Sequence, residues 1–157
     1  MHYNKNKANF NSTYRVTLYS TRAGDELNEQ NPVQTLTKAQ LDQHLDDALA
    51  NPKGFQASLK ESCTKFNPLL LEVAETINMG SRIWNAGGLP ITIRLYEGVA
   101  YRVLYKTGDE CPDLSNAFQA GLMRADERET ANGKGRVLRQ TLDLLMGGLP
   151  AKPPGAQ

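Results

Sequence analysis

Between Pro90 and Tyr105 the chain reads Pro-Ile-Thr-Ile-Arg-Leu-Tyr-Glu-Gly-Val-Ala-Tyr-Arg-Val-Leu-Tyr. Both arms are rich in β-branched and aromatic residues, which suit a pleated, half-buried surface, and Glu97-Gly98 between them marks a turn. The stretch predicts a β-hairpin. Its loop length decides which side chains share a face, because side chains alternate along a strand. A two-residue loop would hold Glu97 at positive φ, which a glutamate tolerates poorly. A three-residue loop, Tyr96-Glu97-Gly98, places glycine in the left-handed position of a bulge. One face then carries Ile91, Ile93, Leu95, Val99, Tyr101 and Val103. The other carries Thr92, Arg94, Ala100, Arg102 and Leu104.

A second strand is expected over Thr13 to Ser20, where Tyr14, Val16 and Leu18 alternate with Arg15, Thr17 and Tyr19. Helices are expected elsewhere. Thr37 with Gln40 three residues on is a capping box ahead of the stripe Leu41, Leu45, Ala48 and Leu49. Asn51-Pro52-Lys53-Gly54 ends that helix. Phe55, Leu59, Cys63 and Phe66 follow at helical spacing. Asn67 and Pro68 open a third helix with Leu70, Val73, Ala74 and Ile77 inward, closed at Gly80. After the hairpin, a helix from about Asp113 to Arg128 turns Leu114, Phe118, Leu122 and Ala125 inward. Asn132-Gly133-Lys134-Gly135 breaks the chain before a last helix over Arg136 to Met146. The expected fold class is α+β: a small, mostly antiparallel sheet, made of the N-terminal strand and the hairpin at about 90–106, packed against about five helices. Residues 1–11 read as a flexible leader, 12–149 as one globular domain and 150–157 as a flexible proline-rich tail.

Composition sets outer bounds. At 157 residues, 39% apolar and 22% charged, the chain has the make-up of one soluble globular domain. A formal net charge of +1 gives no global bias toward nucleic acid or membrane. No apolar run is long enough to span a bilayer, and no apolar segment follows Met1 to Lys7, so a cytoplasmic location is expected. In that compartment Cys63 and Cys111 are read as unpaired: they lie far apart, without metal-ligand spacing. Cys63 reads as a small buried hydrophobe.

Catalytic signals are thin. The two histidines are His2, in the leader, and His44, among Asp42, Asp46 and Asp47 on the first helix. Helical spacing spreads those carboxylates over different sides, so His44 reads as part of a solvated face and no metal site is assigned. Asp25, Glu26, Asp109 and Glu110 would meet only if the first strand lay beside the hairpin. Gly133-Lys134-Gly135-Arg136 lacks phosphate-loop spacing, although its cations precede a helix and could meet an anion.

The strongest surface signal is cationic. On a shared sheet, Arg15, Arg94 and Arg102 would lie together with Tyr19, and Lys134 and Arg136 add a second basic group. Guanidinium groups beside aromatics on a sheet hold phosphates, stack bases or meet acidic protein. The expected function is a non-enzymatic binding module that engages nucleic acid or an acidic protein through this arginine face. It needs no cofactor. The alternatives are a protein-binding inhibitor acting through the acidic first helix, or a carboxylate-dependent enzyme. Catalytic residues are not assigned.

Overall fold

The computed structural model describes residues 36–148, and among these the chain is helical throughout, with no strand. Six α-helices run in order: α1 Lys38–Ala50, α2 Pro52–Ser62, α3 Phe66–Asn85, α4 Leu89–Thr107, α5 Pro112–Asp126 and α6 Ala131–Asp143, with a 3₁₀ turn at Leu144–Met146. The expected α+β class is therefore corrected to an all-helical fold. The proposed strand over Thr13 to Ser20 lies outside the described residues, as do the leader and the tail from 150.

The hairpin is replaced by α4. Its buried residues are Thr92, Tyr96, Val99, Ala100, Val103, Leu104 and Thr107, a series with helical rather than two-residue spacing. Pro90 sits in the first turn, where its missing N–H is no loss. Gly98 lies mid-helix and is not among the glycines with positive φ. The turn stands earlier instead, at Ala86-Gly87-Gly88, where Gly87 has φ +93°. Strand propensity in this stretch is real but weak, and the helical burial pattern outweighs it.

α5 is the central helix. Ten of its residues are buried, including Leu114, Phe118, Leu122 and Ala125, the four expected to face inward. One side packs with α3, α4 and α6 around Tyr96, Val99, Leu138 and Leu142. The other side, through Ala117, Ala120 and Met123, receives Leu41, Leu45 and Ala48 of α1. α3 and α4 run antiparallel, joined by the short turn and crossing closely where Gly80 meets the Tyr96 ring.

Local signals explain most boundaries. Thr37 accepts from the Gln40 backbone N–H, and Gln40 answers the Thr37 N–H, the capping box expected. Asn51 ends α1 and starts α2 at once, its side chain accepting from Gly54 N–H. α3 starts at Phe66, so Asn67 and Pro68 fall within its first turn, and it passes Gly80 to reach Asn85. α6 starts five residues earlier than expected, because the Thr130 hydroxyl caps Gly133 N–H and Gly135 allows Trp84 of α3 to pack against the helix.

The two cysteines are bonded. Cys63, after α2, and Cys111, before α5, form a disulfide with Cα atoms 5.3 Å apart. The helices between them run out and back, which returns position 111 to position 63 despite 48 residues of separation. Sequence distance said nothing about that return.

Candidate functional site

Dissolving the sheet disperses the expected arginine face. Arg15 and Tyr19 lie outside the described residues. Arg94 is exposed on α4, and Arg136 is exposed on α6. Arg102 pairs with Glu72 of α3, which also accepts from Lys106 at 3.0 Å. Lys134 lies in the first turn of α6, 4.0 Å from Asp126. Arg94 and Lys134 do share one neighbour, Glu97: burial pushes its carboxyl above the usual range, while Lys134 and Arg94 draw it back down. The cations thus belong to two separate groupings, one on the α3–α4 seam and one at the start of α6.

The acidic first helix is largely answered within the molecule. Arg124 of α5 reaches Asp46 at 2.9 Å and Asp42 at 3.4 Å. Lys38 bonds Glu127 and Asp42, and these two carboxylates hold its ammonium above its ordinary value. Asp47 accepts from Gln43. His44 places Nε2 3.2 Å from the Asp113 carbonyl oxygen, at an open groove of about 240 Å³ that it lines with Asp47, Asn51, Phe55 and Asp113. Asp109 and Glu110 stand in the exposed turn after α4, where Glu110 lies 3.5 Å from Lys65. No group of three or more His, Cys, Asp or Glu among the described residues is placed to hold a metal ion.

The most buried charge among the described residues is Asp143. Burial raises its carboxyl pKa against the opposing pull of Arg139, whose Nε donates to both oxygens at 3.1 and 3.0 Å. The same guanidinium donates to the Ser81 hydroxyl. This link fastens α6 to α3.

The α3–α4 pair carries a feature the sequence pattern had hidden. Among the described residues, the large apolar side chains left exposed are Leu71 (69%) and Met79 (45%) on α3, and Ile91 (56%), Tyr101 (37%) and Tyr105 (84%) on α4. All five belong to the one helical pair. On α4 the positions 91, 94, 98, 101 and 105 recur every three or four residues, which puts them on one stripe. The hairpin register had turned Ile91 and Tyr101 inward. Counting in helical steps from Ile91 exposes the stripe at once. Arg94 lies on it, and Arg102 and Lys106 border it on the side of α3. Dispersed apolar residues on a surface are ordinary; this set is confined to one helical pair and has basic residues among it.

The chain matches no protein-family model, no curated protein and no solved structure. The residues themselves define the class: a disulfide-linked α-helical bundle with an apolar and basic face on its α3–α4 hairpin.

Proposed function

We propose that this is a non-enzymatic binding module whose α3–α4 face engages a protein partner. The observation that carries the reading is that, among the described residues, the five exposed large apolar side chains all lie on α3 and α4. Tyrosine and arginine are the side chains that most often anchor interfaces, since each offers broad contact at modest cost in mobility. The sheet that was to carry the arginine face is absent among the described residues, and the present reading draws only on Arg94 and Arg102, both on α4. Nucleic acid is the less favoured ligand: Glu72 already answers Arg102 and Lys106, and its charge repels phosphate. The acidic-helix alternative loses weight because Arg124 and Lys38 occupy its carboxylates.

No helix among the described residues is long and apolar enough to cross a membrane. Within this reading the expected cytoplasmic location gives way to an oxidising compartment, because a disulfide whose cysteines are both buried is a structural element that such a compartment preserves.

Site-specific photo-crosslinking tests the face. A photoreactive residue at Tyr105 or Ile91 should give discrete adducts in an extract of the native host, whereas the same group at Gln140, exposed on α6, should not. Adducts of equal yield from all three positions would remove the proposal. Adducts with nucleic acid alone would return the function to the other ligand class.

A further inference from the structure

We draw no further inference here: the strongest candidate, the exposed apolar face that Leu71, Met79, Ile91, Tyr101 and Tyr105 form on α3 and α4, carries nothing beyond the reading above because nothing in the structure shows what covers it.

Discussion

The Thr92 hydroxyl donates to the carbonyl oxygen of Gly80 at 2.9 Å, inside the α3–α4 crossing and out of reach of solvent. That single bond reverses the hairpin expectation, in which Thr92 faced outward and Ile91 inward. The reversal is measurable. Thr92→Asp buries a carboxylate without a cation to answer it and should cost about 3 kcal/mol or more. Ile91→Asp places a carboxylate on solvent in the first turn of α4, where the helix dipole favours it, and should stay within about 0.5 kcal/mol of the parent. Urea unfolding of both variants decides, and the opposite ranking would restore the hairpin.

Two glycines provide a second contrast. A Cβ at Gly80 would lie 2.9 Å from Cζ of Tyr96, a ring that is fully buried and has nowhere to move. Gly80→Ala should therefore cost about 1–3 kcal/mol through overpacking. Gly98 has open space around its Cβ position and sits within a helix. Gly98→Ala should stabilise by roughly 0.5–1 kcal/mol, the ordinary gain on replacing glycine inside a helix. In a bulged hairpin the same change would destabilise, so a loss of melting temperature at Gly98→Ala would count against α4.

How much of this was legible depends on how local the deciding interaction is. Thr37 and Gln40 bond each other's backbone, so three residues of sequence suffice to announce α1. The inward set of α5 was legible because four apolar residues repeat at helical spacing. The stretch 90–105 was not. Its β-branched and aromatic residues satisfy a two-residue alternation by composition, while the residues that pack, Thr92, Tyr96 and Ala100, include a hydroxyl and a methyl group that look peripheral. Their burial is decided by Gly80 and by α5, which are distant in sequence. The exposed apolar face shared that fate, since Tyr101 and Tyr105 become a stripe only once the helix is known. The disulfide depends on the return of α4 alongside α3, a tertiary fact.

The disulfide supplies a third prediction. Cys63 and Cys111 close a loop of 48 residues that contains α3 and α4. In the chain-entropy account, closing such a loop in the unfolded state is worth about 4 kcal/mol. Cys63→Ser with Cys111→Ser, or reduction of the native protein, should lower the unfolding free energy by that order and loosen the end of α4 near Tyr105. Thiol titration of the unfolded, unreduced chain should find no free thiol. Two free thiols per chain, or a reduced protein as stable as the oxidised one, would contradict the pairing or its role.

Acid titration separates two glutamates on α3 and α4 whose environments oppose each other. The Arg102 guanidinium, with Lys106 beside it, holds the Glu72 carboxyl below its ordinary value of 4.5. Its folded pKa is lower than its unfolded one, so its contribution is present above that ordinary value and is lost as pH falls through the folded pKa. Glu72→Gln should flatten the acid limb of the stability profile, by no more than about 1 kcal/mol because the pair is partly solvated. Glu97 is shifted the other way, upward, by burial. Its contribution is complete below the ordinary value and is lost as pH rises through the raised folded pKa. The stability of Glu97→Gln relative to the parent should therefore climb with pH across that interval, while that of Glu72→Gln declines as its carboxylate ionises in the parent. Melting temperatures from pH 3 to pH 7, in steps of about half a unit, would show the two slopes. If they share a sign, the ion cluster on the α3–α4 seam or the burial of Glu97 is misassigned.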